Sequence, residues 1–107
     1  MRITAPVTLE PLGNGSFRVS GQSVALPNLK TGRYGVRPEA IALEPNAERQ
    51  GELRGVVELV TYLGADQQVI LRVGNDTWIA RVPNDLVFTR GQTVGLEIAA
   101  GAWLRLE

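Results

Sequence analysis

The sequence predicts an all-β fold: a small OB-like barrel of short antiparallel strands with an accessory N-terminal hairpin. Three observations carry this prediction. Glycine and proline punctuate the chain roughly every eight to twelve residues, the spacing of short strands joined by turns. Between them apolar residues alternate with polar ones, the period that puts one face of a strand on a core. No window holds an uninterrupted helical stripe; the nearest, Glu52 to Leu63, contains Gly55 and is rich in the β-branched and aromatic residues Val56, Val57, Val60 and Tyr62.

The elements follow in order. Pro6 to Ser20 reads as a hairpin: Val7 and Leu9 lead in, Gly13-Asn14-Gly15 turns, and Phe17 and Val19 return. Ser23 to Leu26 is a short strand stopped by Pro27, and Arg33 to Arg37 is another stopped by Pro38. Ile41 to Glu44 follows a turn, and the polar stretch from Pro45 to Gly51 reads as an exposed loop. Glu52 to Leu63 is one long strand in which Gly55 marks a bend or bulge. Gly64-Ala65-Asp66 turns into Gln68 to Val73, with Val69, Leu71 and Val73 on one face. Gly74-Asn75-Asp76 turns into Thr77 to Val82, with Trp78, Ala80 and Val82 inward. Arg90-Gly91-Gln92 precedes Thr93 to Ile98, with Val94, Leu96 and Ile98 inward. Ala102 to Leu106 closes the chain, with Leu104 and Leu106 on the core side and Trp103 half exposed on the other.

A chain of 107 residues has the size of one domain, read as residues 1–107. No apolar run is long enough for a spanning helix, and the N-terminus lacks the apolar stretch of a secretory signal. The absence of cysteine excludes disulfides and thiolate metal sites and fits a reducing compartment.

Chemistry of its own is not expected. Without histidine there is no ordinary acid–base group near neutral pH and no partner for a serine nucleophile. The acids are scattered, with no calcium loop and no zinc ligand set. Gly13-Asn14-Gly15 lacks the Gly-Lys-Ser/Thr continuation of a phosphate loop. These residues imply no catalytic residue, no metal and no cofactor.

Eleven basic residues balance eleven acidic ones, which argues against nucleic acid as a partner. Nor do Phe17, Tyr34, Tyr62, Trp78, Phe88 and Trp103 interleave with a basic cluster, as single-strand binding requires. An OB-type nucleic-acid module is thus one alternative reading. The other is a small-oxyanion sensor, in which Arg37, Arg72 or Arg81 would donate charge-assisted hydrogen bonds.

Interaction is read from apolar residues left over after one interior is filled. Val56, Val60 and Tyr62 alternate with Val57, Leu59 and Leu63, and Ile70 and Ile79 alternate with core-side neighbours. Val60, Tyr62 and Ile79 are therefore candidate contact residues, together with the amphipathic Trp103. Arg37-Pro38-Glu39 forms a turn whose proline sets φ and whose charges face a partner or pair locally.

Tyr34-Gly35-Val36-Arg37-Pro38-Glu39-Ala40-Ile41-Ala42-Leu43 resembles the Gly-Ile/Val-Arg-Pro-Glu segment that follows the ATPase module in ABC importers. Val56-Val57-Glu58-Leu59-Val60-Thr61-Tyr62-Leu63-Gly64 is similar to that family's Val-x-x-Val-Glu-x-Leu-Gly run. Ala80-Arg81-Val82-Pro83 and Gly91-Gln92-Thr93-Val94-Gly95-Leu96 match its later strands in order. The resemblance is to the C-terminal regulatory (TOBE-type, OB-like) domain of an ATP-binding subunit of the sugar, polyol or glycerol-phosphate type. It implies a non-catalytic regulatory and dimerisation domain involved in solute uptake. The implied partners are a second copy of the subunit, the transporter's membrane subunits and, in some members, a regulatory protein. ATP and Mg would belong to an ATPase module absent from this chain, with Met1 near the junction. The implied location is cytoplasmic, at the inner face of the membrane.

Overall fold

A computed structural model describes residues 7–13, 15–26, 29–45 and 53–106. Ten strands appear in chain order: β1 (Val7–Gly13), β2 (Ser16–Val19), β3 (Gln22–Ala25), β4 (Gly32–Val36), β5 (Ile41–Glu44), β6 (Leu53–Tyr62), β7 (Asp66–Val73), β8 (Asp76–Pro83), β9 (Thr93–Ile98) and β10 (Trp103–Arg105). Two 3-10 turns, Pro38–Ala40 and Ala100–Ala102, are the only helical elements among the described residues. The fold is all-β and OB-like, as the alternation predicts. Asn14, Pro27 and most of the polar loop predicted over 45–51 lie outside the described residues.

The strands form two five-stranded antiparallel sheets, ordered β10-β4-β1-β2-β3 and β5-β9-β6-β7-β8. The second curls into a half-barrel, its edge strands β5 and β8 approaching one another. The predicted N-terminal hairpin is present, β1 against β2, and it is the middle of the first sheet rather than an isolated accessory. Its inward residues Leu9, Phe17 and Val19 join Val69, Leu71, Val73 and Trp78 in one buried cluster with the second sheet.

Three local readings are corrected. The irregularity in β6 is at Glu58, because the register against β7 shifts between Val57↔Leu71 and Leu59↔Ile70. Such a bulge moves every later side chain to the other face. Val57 is therefore buried at 1% exposure while Leu59 is 54% exposed, and Val60 turns inward opposite Val69. Gly55 is instead a close-approach position: a Cβ there would lie 3.1 Å from Val73 Cγ2 and 3.3 Å from Leu96 Cδ1.

The last strand presents the opposite face from the one its sequence predicts. Trp103 is buried at 7% exposure, Leu104 is half-buried and Leu106 is exposed. Pairing of Trp103 with the fully buried Val36 sets this parity. The indole stands edge-on between Tyr34 and Trp78, at centroid distances of 6.2 and 6.3 Å, so it ties the two sheets together.

Gln67 is the one polar side chain in the described core. Its Nε2 donates to the carbonyls of Pro83 (3.1 Å) and Leu86 (2.7 Å), pinning the β8–β9 loop beneath the barrel. Gln67→Leu should lower stability by about 1–3 kcal/mol, since two hydrogen bonds that hold the loop are lost. Urea denaturation checks this, and an unchanged midpoint would mean the loop holds without the clamp.

Candidate anion cleft at the seam of the two sheets

The outward face of the half-barrel carries Arg54 and Val56 on β6, Arg72 on β7 and Thr93 on β9. Register places them together: Val56 is opposite Arg72 on one side and Thr93 on the other. Arg54 lies two residues along the same face. With Gln22 of β3 and Gly74 of the β7–β8 turn, they line a cleft of about 170 Å³. No lining residue is acidic. Glu58 reaches Arg72 only at 4.0 Å, with both side chains largely in solvent, which leaves the Arg72 guanidinium donors available to a ligand.

One wall of the cleft is borrowed from the other sheet. The ladder between β6 and β7 runs from Tyr62↔Gln67 only as far as Val56↔Arg72, because the chain turns at Gly74. Gln22 supplies what the ladder lacks. Its Nε2 donates to the Arg54 carbonyl at 2.7 Å, and its Oε1 accepts from the Arg54 N–H at 2.8 Å. The side-chain amide thus stands where a strand's peptide group would.

The adjoining β2–β3 turn is clasped just as closely. Ser20 Oγ donates to Asp76 Oδ2 at 2.6 Å and accepts from Trp78 Nε1 at 3.3 Å. On the far side of this turn lies a wider polar cleft of about 350 Å³, lined by Thr8, Glu10, Arg18, Ser20, Asn75 and Asp76. Its carboxylates oppose its single arginine, so it has no preference for an anion.

The residues singled out from sequence are dispersed. Arg37 follows β4 at the N-cap of the next 3-10 turn and, like Glu39, is exposed, while Pro38 is buried at the start of that turn, which packs on β8. Pro38 therefore cannot contact a partner, and the turn presents only its two charges. Arg81 is held by Asp66 at 3.0 Å. Tyr62 is 62% exposed, Val60 packs against the core, and Trp103 is inside it, which removes Trp103 from the contact candidates. Ile79 lies on the opposite face from Val60 and Tyr62, in a cross-strand row with Ile70 and Leu59. Of the arginines proposed for an oxyanion, only Arg72 lies in the arginine-lined cleft. The sequence reading does not single out Gln22, Arg54 or Thr93. Outward parity alone could have flagged the two on β6 and β9, but nothing local to β3 points to Gln22. Among the described residues no three His, Cys, Asp or Glu side chains gather as a metal site.

The fold has a relative among solved structures. The cytoplasmic molybdate-binding protein ModG, in a crystal form with molybdate bound, superposes with a TM-score of 0.69 over 96% of this chain and 93% of that one. At 15% identity the likeness is one of fold. No curated protein matches in sequence. The sequence profile of the TOBE domain matches residues 34–106, two thirds of the chain and all of the half-barrel, and on that match the chain belongs to the TOBE domain family.

Proposed function

We propose that this TOBE domain is a non-catalytic module that binds a small oxyanion between Arg54 and Arg72. The observation that carries the proposal is the cleft itself: two arginines on one sheet face, a threonine hydroxyl, an amide and no lining carboxylate. Guanidinium groups match tetrahedral oxyanions in charge and donor geometry, and charge-assisted bonds exceed neutral ones in strength. ModG, which shares the fold and binds molybdate, supports the same class of ligand. Titration calorimetry with molybdate, tungstate, sulfate and phosphate tests the reading. We expect at least one to bind with Kd below ~100 μM, about −5.5 kcal/mol. Arg72→Ala should weaken binding by at least about tenfold through loss of one charge-assisted contact. Absence of heat for all four anions at millimolar concentration would sink the proposal.

A second reading has its own observation. Leu59, Ile70 and Ile79 form an apolar row across β6, β7 and β8 on the outside of the half-barrel. This supports a role as regulatory and dimerisation domain of an ABC importer's ATP-binding subunit, in which a second copy covers the row at the cytoplasmic face of the membrane. The solute, sugar or polyol in the resembling family, would be chosen by other subunits. A small domain offers less than the ~800 Å² per partner of a standard interface, so association of the chain alone should be weak. Sedimentation equilibrium should show a concentration-dependent mass that Leu59→Asp abolishes. A strictly monomeric chain at high micromolar concentration would count against this reading.

A further inference from the structure

Resting on the anion reading, we infer that Gln22 is a positioning residue of the cleft, and that anion binding is thereby linked to docking of the β2–β3 hairpin on the half-barrel. Gln22 lies outside residues 34–106, the segment shared with the TOBE profile. It belongs to a part of the chain that the half-barrel does not need for its own ladder. Yet it holds the backbone N–H and C=O of Arg54, one of the two arginines of the cleft, and it forms a wall itself.

The geometry makes the coupling specific. At Arg54 the β6 backbone has no β7 partner, because the β6–β7 register ends at Val56↔Arg72. Held by Gln22, Arg54 keeps the strand conformation that places its side chain on the same face as Val56 and Arg72. Released, that end of β6 has one neighbour, β9, through Arg54↔Gly95. An anion bound between the arginines therefore favours the state in which Gln22 is docked. By linkage, docking raises anion affinity by the same factor. The hairpin is a contributor to the site, not a cover laid over it.

Hydrogen exchange and calorimetry on the whole chain test this together, with sodium molybdate as probe and sodium sulfate beside it. In the unaltered protein a saturating anion should slow exchange of the β2–β3 amides. If opening of the hairpin abolishes binding, the slowing reaches about a hundredfold at an anion concentration 100 times Kd. Gln22→Met keeps the side-chain length and removes both hydrogen bonds. It should weaken anion binding about tenfold and uncouple hairpin exchange from the anion. A merely structural glutamine would change the melting temperature and leave the anion-dependent slowing intact. Binding in the unaltered protein with no change in β2–β3 exchange overturns the inference and spares the anion reading. No binding of molybdate, tungstate, sulfate or phosphate removes both. Should Gln22→Met fail to fold, the exchange measurement on the unaltered protein still decides.

Discussion

Trp103→Ala is expected to lower the unfolding free energy by about 3–5 kcal/mol, the range for deleting a buried tryptophan. The side chain is only 7% exposed and touches aromatic rings from both sheets, Tyr34 on β4 and Trp78 on β8. Its removal leaves a void at the point where the two sheets meet, and neither neighbour can fill it without leaving its own strand. For a domain of this size each kcal/mol moves Tm by roughly 4–8 °C, so the melting temperature should fall by at least about 12 °C. Trp103→Phe separates packing from hydrogen bonding. The indole Nε1 is buried with no partner among the described residues, so phenylalanine forfeits ring volume but no hydrogen bond. It should therefore cost well under half as much as alanine. A neutral Trp103→Ala would return this residue to the surface and contradict the aromatic bridge.

That residue also shows where sequence reading stops. Strands β7 and β8 are legible because each carries three alternating apolar residues between turn residues: Val69, Leu71 and Val73 on β7, and Trp78, Ala80 and Val82 on β8, are all buried as their period requires. β10 has three residues. With so few, the pattern Trp-Leu-Arg fits either face, and the pairing of Trp103 with Val36 decides it. The β6 face is illegible for a different reason. A bulge inserts one residue without any residue type that demands it, and nothing about Glu58 marks it as the extra one. The glycine that looked like the bulge, Gly55, is there for space against Val73 and Leu96. Parity after the bulge then separated Val60 and Tyr62 from Ile79, which no local pattern could do.

The cleft was legible in part. An outward arginine is an oxyanion donor, which points to Arg72 and Arg81 on equal grounds, yet Arg81 is held by Asp66. What distinguishes them is which neighbours the fold delivers. Arg72 meets Val56 across one ladder and, through it, Thr93 across the next. Gln22 arrives from a different sheet, 32 residues away from Arg54 in sequence. Sites assembled from several strands are set by register and sheet order, and a single sequence carries neither explicitly.

Gly74→Ala should be among the most damaging single substitutions in the chain, and its effect should fall on the seam between the sheets. Gly74 has φ +59°, in the left-handed region, where a Cβ costs roughly 1–2 kcal/mol. That strain alone is modest. The larger effect is steric: a Cβ at Gly74 would overlap the Ser20 carbonyl oxygen and lie 3.0 Å from its carbonyl carbon, both backbone atoms of the β2–β3 turn. A backbone carbonyl cannot rotate away as a flexible side chain would, so the turn has to lift. Lifting it breaks the Ser20–Asp76 and Trp78–Ser20 hydrogen bonds and draws Gln22 from Arg54. A hydrogen bond to a charged group contributes about 1.5–3 kcal/mol and a neutral one about 0.5–1.5; most of these bonds lie at exposed sites, where the low end of each range applies, so with the backbone strain the total loss should be about 4–5 kcal/mol. Gly64→Ala is the matched control. It also has positive φ, +91°, but nothing lies within 4 Å of where a Cβ would stand, so it should lose only the backbone strain of about 1–2 kcal/mol. Denaturant unfolding of the pair measures the difference. Tryptophan fluorescence adds a local readout, because the Trp78 indole loses its Ser20 partner in Gly74→Ala and keeps it in Gly64→Ala. Equal destabilisation of the two variants, with unchanged emission in both, would show that the β2–β3 turn is not clamped over Gly74.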